Sequence, residues 1–288
     1  MAGGLGNQLF QYAVAKSLAI DKNDSLIIDS SGCCRLIHPA PRKYGLCYFN
    51  IEYRVFGLSI VRLWRYGIEL IEKVFCINLP HPFVISDNNV KSYSELMTLA
   101  KTKKLIILRG YWASELYFKH NRDKICHDLQ ISVPLRKDNQ TWYDLIKQAN
   151  SVCLHVRRGD YLTKEHIEIY GNCATYSYYM RAIGYINANV IDPVFFIFSD
   201  DIQWAKNTFH LNYPTHFMDQ NSSEMYYEDF HLMMKCKHFI IANSTFSWWA
   251  AWLSNESKNK IVISPSKWNN NGDIDNRLIP DTWIKINV

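Results

Sequence analysis

The chain has 288 residues, enough for two domains of ordinary size, and its 48% hydrophobic and 20% charged residues are those of a water-soluble globular protein. Thirty-two Lys and Arg stand against 27 Asp and Glu, a net charge of +5 with no long basic block, which is too dilute for a nucleic-acid binder and suits an enzyme that handles an anionic substrate. The 14% aromatic content, with 18 Tyr and 9 Trp, fits carbohydrate or nucleotide surfaces as well as an aromatic core.

In chain order, the first element is a glycine-rich turn, GGLGNQLFQY from Gly3, running into helical apolar spacing over residues 7 to 20. It lacks the Gly-Lys-Ser/Thr of a P-loop and the third glycine of a dinucleotide fingerprint. What remains is a turn whose amides, at a helix N-terminus, can face an anion or a sugar, or a plain strand-to-helix turn. Leu26–Asp29 and Leu105–Leu108 are strand candidates, and residues 30 to 95 show no regular pattern. Within them, residues 58 to 78 are apolar but interrupted by Arg62, Arg65, Glu69, Glu72 and Lys73 at helical spacing. That is a surface helix packed on the core, with an interfacial membrane contact as the alternative, and no stretch has the apolar length of a membrane span. The polar run Pro134–Gln140 is the best domain boundary, dividing 1–138 from 139–288, with a helix over 141–150 opening the second domain.

The second half alternates. Strand candidates Ser151–Val156, Val194–Phe198, Phe239–Ala242 and Ile261–Ser264 are separated by helix candidates at 176–188, 201–210, 222–236 and 245–254, which predicts a doubly wound α/β domain with a parallel sheet. Eight cysteines show neither C-x-x-C nor Cys/His metal-ligand spacing, so reduced, buried thiols in a cytoplasmic protein are expected. No basic segment followed by an apolar core opens the chain, so no signal peptide is read and sequons such as Asn221-Ser-Ser are expected to stay unglycosylated.

Three motifs sit at predicted strand ends, where α/β domains meet ligands. His155-Val-Arg157-Arg158-Gly-Asp160 places an arginine, whose bidentate fork suits phosphate, at the mouth of the strand Ser151–Val156; the bland alternative is a salt bridge between Arg158 and Asp160. Asp200-Asp201 follows the next strand; one carboxylate can cap the following helix, leaving the other for a ribose or the N–H edge of guanine. Asn243-Ser244-Thr245-Phe246-Ser247 opens a helix with hydroxyls and amides at its positive end, an anion site where an arginine motif lies nearby. Asp273-Ile-Asp275 lies in a polar loop rather than at the end of an apolar strand and is not expected to hold a metal.

With GGLGNQLFQYA, HVRRGDY, FSDD and NSTFSWWAAWLS in this order and spacing, the chain resembles the bacterial α-1,2-fucosyltransferases of glycosyltransferase family 11 over nearly its whole length. The resemblance implies a GT-B-type α/β architecture of two facing Rossmann-like domains, the first on the acceptor side and the second binding GDP-fucose. It also implies metal-independent, inverting transfer of L-fucose from GDP-β-L-fucose to O2 of a terminal galactose, in surface polysaccharide or O-antigen synthesis. On that likeness Arg157 corresponds to the arginine of the donor pyrophosphate. His155, Arg158, Asp160, Asp200 and Asp201 correspond to donor contacts, and Asn243 to Ser247 to the turn that receives the β-phosphate. Gly4, Gly6, Asn7 and Gln8 correspond to a loop facing donor and acceptor. Asp160, Glu165 and Glu168 are candidates for the proton acceptor, and Asn7 for orienting the acceptor hydroxyl.

The resemblance also implies a galactose-ended glycan as acceptor, lipid-linked in one reading, and the expected place of action is the cytoplasm or the inner membrane face. No nucleic-acid partner is expected. In the family an apolar strand precedes GGLGNQ, whereas here only Met1 and Ala2 do, so a misplaced start codon or a lost first strand is expected, the latter leaving a strand unpaired. The alternatives are another GDP-sugar transferase or a catalytically silent sugar-nucleotide-binding protein.

Overall fold

The computed structural model of the chain describes residues 1–33, 43–52, 54–56, 67, 74, 83–271 and 277–288. Residues 58–78, apart from Gly67 and Val74, and the Asp273/Asp275 pair lie outside the described residues. The chain divides into two compact units, Met1–Ser132 and Val133–Val288.

In the first unit, helix α1 (Leu5–Lys22) buries Leu9, Phe10, Tyr12, Ala13 and Val14 and ends at Asn23, whose φ of 53° places it in the left-handed region that closes helices. Strand β1 (Ile27–Asp29) pairs in parallel with β2 (Arg54–Phe56), and β3 (Phe83–Ser86) with β4 (Ile106–Arg109), where helix α2 (Tyr93–Ala100) makes the crossover. Helix α3 (Arg122–Asp128) is tied to α1 by Asp128, which accepts from Tyr12 Oη at 2.6 Å and pairs with Lys16 at 3.0 Å.

The second unit carries one six-stranded, all-parallel sheet. Its strands are β5 (Asn150–Val156), β6 (Pro193–Ser199), β7 (Thr215–Phe217), β8 (His238–Ile240), β9 (Val262–Pro265) and β10 (Ile284–Ile286), in the order β10-β9-β8-β5-β6-β7. Counted from the first strand, this is the Rossmann order, which reverses between β5 and β8. Helices α4 (Lys137–Gln148), α5 (Ile167–Tyr170), α6 (Tyr176–Asn189), α7 (Ile202–Thr208), α8 (Tyr226–Met234) and α9 (Thr245–Leu253) connect the strands.

Alternation along β5 sends Val152, Leu154 and Val156 into a core with Tyr178, Tyr179, Ala182 and Ile186 of α6. The tyrosines are fully buried, and their hydroxyls meet strand-end carbonyls: Tyr178 donates to Ile241 at 2.7 Å and Tyr179 to His155 at 3.0 Å. Much of the aromatic excess is therefore core, including Trp248, Trp249, Phe195 and Phe196, all fully buried.

The expected strands and helices of the second half are present with shifted ends. Helix α4 begins at Lys137 rather than 141, because its first turn is polar, with Asp138 well placed at the positive helix end, and carries no apolar signal. Strand β8 is short, yet Ile241 and Ala242 beyond it are fully buried. Among the described cysteines none is bridged; Cys33, Cys153, Cys173 and Cys236 are buried, while Cys47 is exposed and Cys126 half-buried.

A polar knot ties α4 to α8. Asn139, fully buried, donates to Glu228 at 2.8 Å and to Asn221 at 2.9 Å, and Asn221 donates to Asp229 at 2.7 Å. Burial pushes Asp229 up to about 7, against the Asn221 hydrogen bond and with help from the Glu228 charge. The folded chain then keeps a proton that the unfolded chain, with an aspartate pKa of about 3.9, loses as pH rises. Asp229 therefore subtracts stability progressively from about pH 4 to about pH 7, and by a constant amount above that. In urea unfolding across this range, the stability of Asp229→Asn relative to the parent should climb up to neutral pH and then level off. A pH-independent difference would show that Asp229 ionises normally.

Candidate active site

Strands β5, β6 and β8 end at the same edge of the parallel sheet, so the segments that follow them are brought together at the point where the strand order reverses. Arg157 follows β5. Its Nε and Nη2 both donate to Asp160 Oδ1, at 3.1 and 2.6 Å, and its Nη1 lies 3.0 Å from Asp200 Oδ2 as an ion pair without hydrogen-bond alignment. The guanidinium stands 5.6 Å from the Tyr161 ring and is a quarter exposed. Burial opposes its charge, but Asp200 and Asp160 outweigh burial and hold its pKa above the usual arginine value. Asp160 thus takes the Nε–Nη2 edge of the fork and Asp200 faces Nη1, so the guanidinium is held by carboxylates from two sides.

Asp200 also accepts from the Arg158 backbone N–H at 2.8 Å, and Asp201 does two things: it caps α7 through Trp204 N at 3.2 Å and pairs with Arg158 Nε at 3.1 Å. The Arg158 guanidinium lies 3.9 Å from the Trp204 ring centre. The alternative Arg158–Asp160 bridge does not form, because Asp201 reaches Arg158 from the end of the neighbouring strand while Asp160, three residues on from Arg157, curls back to it. Nor is either of Asp200 and Asp201 left unengaged; one is committed to Arg157 and the other to Arg158 and the helix cap. Glu165 and Glu168 are exposed beyond the cluster.

Packing dictates one glycine here. A Cβ on Gly159 would stand 2.5 Å from Asp200 Oδ2, so only glycine lets the carboxylate approach both arginines.

Beside this cluster, Ser244 takes the N-cap position of α9, yet its hydroxyl caps nothing, and Ser247 Oγ donates back to the Ser244 carbonyl at 3.3 Å. A serine there ordinarily closes the first-turn amides. The first turn, with Thr245 and Phe246, puts the positive end of α9 beside the arginine cluster's strand end. Asn243 is nearly fully buried and holds the turn in place: its amide donates to Trp268 at 2.8 Å and Tyr170 at 3.2 Å, and its carbonyl accepts from Tyr161 at 2.8 Å. Phe246 packs between Phe230 and His155. Burial, with the Arg157 charge adding, holds His155 down to about 3, so its ring stays neutral near pH 7; its Nδ1 is buried without a partner.

In the first unit, Gly3 has φ of +80° and Gly4 caps α1 without a side chain; Gly6, Asn7 and Gln8 lie in the first turn. A Cβ on Gly3 would stand 2.7 Å from Asn7 Nδ2. Gln8, expected to touch substrate, is fully buried. Its amide donates to the carbonyls of Gly3 and Lys43 and accepts from Gly45 N–H, each at 2.9 Å, so it braces the loop from inside. Gly159, Tyr161 and Trp204 are site residues that the sequence reading passed over; the glycine inside RRGD was the available signal.

The sheet order is that of a doubly wound α/β nucleotide-binding fold, and the architecture is of the GT-B type. The protein O-fucosyltransferase POFUT1, solved with GDP-fucose, matches it over 91% of this chain and 95% of that one with a TM-score of 0.50 and 11% identity, a likeness of fold alone. The family model Glycosyl transferase family 11 matches residues 84–287, and the chain belongs to that family. It is 36% identical to the O-antigen biosynthesis glycosyltransferase WbnK of Escherichia coli over 99% of both chains. It is also 32% identical to an alpha-1,2-colitosyltransferase of Escherichia coli, over 99% of this chain and 97% of that one.

Gly159→Ala should weaken GDP binding in calorimetry by driving Asp200 off the arginines, with a far-UV spectrum like that of the parent. Unchanged affinity would mean that the Asp200 position is not used in binding.

Proposed function

We propose that the chain is an inverting α-1,2-fucosyltransferase that moves L-fucose from GDP-β-L-fucose to O2 of a terminal galactose, in O-antigen or related surface-polysaccharide synthesis. The observation that carries the reading is Arg157, held by Asp160 and Asp200 at the strand-order reversal beside the N-terminus of α9. Membership of family 11 and the α-1,2-fucosyltransferase motifs supply the sugar and the linkage.

In this reading the acceptor O2 bonds to the fucosyl C1 as the C1–O bond to GDP breaks on the opposite face, and the hydroxyl proton passes to water. Charge then grows on the pyrophosphate, where the Arg157 guanidinium and the positive end of α9 are proposed to receive it. These groups take the part that a divalent cation plays elsewhere, so the reaction is proposed to run without a metal. Asp160, already bonded twice to Arg157, acts by orienting the guanidinium rather than by taking the acceptor proton. The acceptor is a galactose-ended glycan, and a lipid-linked one at the inner membrane face fits the O-antigen setting. No helix among the described residues is long and apolar enough to cross a membrane. A second reading, transfer of a colitosyl group from its GDP derivative, is favoured by the 32% identity to the colitosyltransferase. Competing the two donors in one assay decides between them.

Arg157→Ala should lower turnover by about 10²–10³-fold, the loss typical of removing one preorganised donor from developing negative charge. Arg157→Lys should recover only part of it, since an ammonium cannot reproduce the fork. Full activity in the alanine variant would remove Arg157 from the mechanism.

GDP at 100 times its dissociation constant should raise stability by about 2.7 kcal/mol. The same thermal shift is expected with EDTA present; its loss on chelation would refute the metal-free reading.

A further inference from the structure

The C-terminal ends of β3 and β4 meet at Ser86 and Arg109, and the chain beyond them is under visible strain. Trp112 has φ of 55°, a left-handed conformation that is unfavourable for a bulky residue. Gly110 has φ of +115°, and a Cβ there would fall 2.1 Å from the Asp87 carboxylate. One oxygen of that carboxylate accepts the backbone N–H groups of both Tyr111 and Trp112, at 2.7 and 3.1 Å.

Trp112 is 1% exposed, packs edge-on against Tyr117 at 5.2 Å, and buries its indole N–H without a partner. Tyr117 is in turn fixed by its bond to the Val90 carbonyl at 2.8 Å. What this rigid pedestal holds up is Tyr111, 49% exposed, next to exposed Gly110 and Arg109.

We propose that the Arg109–Trp112 loop is a saccharide platform, on which the Tyr111 ring receives the apolar face of a sugar residue of the acceptor glycan and Arg109 supplies hydrogen-bond donors to its hydroxyls. The proposal rests on the reading of the chain as a transferase acting on a glycan. A single ring flanked by polar chain matches one pyranose, whereas a protein partner needs roughly 800 Å² per side. The ends of parallel strands are where α/β sheets bind ligands, and a preformed loop there avoids the ordering cost at the moment of binding.

Saturation-transfer NMR on lactose, N-acetyllactosamine and Galβ1,3GalNAc, each with GDP present, tests this independently of turnover. The parent should saturate at least one of the three. Tyr111→Ala should weaken that binding about 10-fold while Tyr111→Phe keeps it within about 2-fold, because the ring face and not the hydroxyl makes the contact. The thermal shift by GDP should be the same in all three proteins, which controls for folding. Equal saturation in Tyr111→Ala, or none of the three sugars bound by the parent, overturns the platform. Initial rates of fucosyl transfer judge the parent reading separately: sugar bound at Tyr111 but never fucosylated keeps the platform and sinks the transferase assignment. Transfer with an unaltered acceptor KM in Tyr111→Ala does the reverse.

Discussion

An arginine at the end of the central strand of a parallel sheet has to be held, and the second unit is organised around how Arg157 is held. Asp160 comes from the turn that follows it and Asp200 from the adjacent strand β6, so the guanidinium is fixed from two directions. Gly159 is required for Asp200 to come close, and Arg158 closes the arrangement through its backbone N–H and its pair with Asp201. At a quarter exposed, these pairs fall between surface ion pairs, worth about 0–1 kcal/mol, and buried ones, whose breaking costs about 3–5 kcal/mol. Their stabilisation of the fold is modest. What they secure is direction, and direction is what a group meeting developing charge must have before the reaction begins.

The sheet places this cluster without any sequence signal of its own. Because all six strands are parallel, every strand end that matters lies on one edge, and the reversal between β5 and β8 separates the helices behind them to leave a crevice. The buried face of α6 sets how far strand ends can shift: Tyr178 bonds the Ile241 carbonyl and also that of Ile263 at 3.1 Å, and Tyr179 bonds that of His155. Two core tyrosines thereby brace the strand ends β5 and β8, from which Arg157 and the Ser244 turn depart.

How much of this was legible depended on the range of the interaction. Strands β5, β6, β8 and β9 announced themselves as short apolar runs, and α1, α6 and α9 as periodic ones, because burial on both sheet faces or one helix face is written locally. The three site motifs were found because each is contiguous and follows a strand. Pairing was not legible. Arg158 choosing Asp201 over Asp160, and Asp200 serving Arg157, are settled by the β5–β6 register, which joins residues some forty positions apart. Gln8 misled for the same reason: a polar residue beside a glycine turn looks like a ligand contact until Lys43 and Gly45 are seen to meet its amide. Edge strands β7 and β10, three residues each, were too short to signal, and the strained turn at Trp112 left no trace beyond one glycine.

The charge balance of the cluster bears on how an anion is recognised there. Arg157 and Arg158 face Asp160, Asp200 and Asp201, so the paired groups carry one more negative charge than positive. Long-range attraction from this set cannot recruit a pyrophosphate; it weakly opposes one. On the proposed reading, recognition comes instead from donors that act at short range, the Arg157 guanidinium and the positive end of α9. Such donors discriminate by geometry rather than by charge, and a phosphate is accepted only where its oxygens coincide with them. On that reading the carboxylates that seem misplaced in an anion site serve selectivity: they hold the fork still and raise the electrostatic cost for any anion that does not fit it.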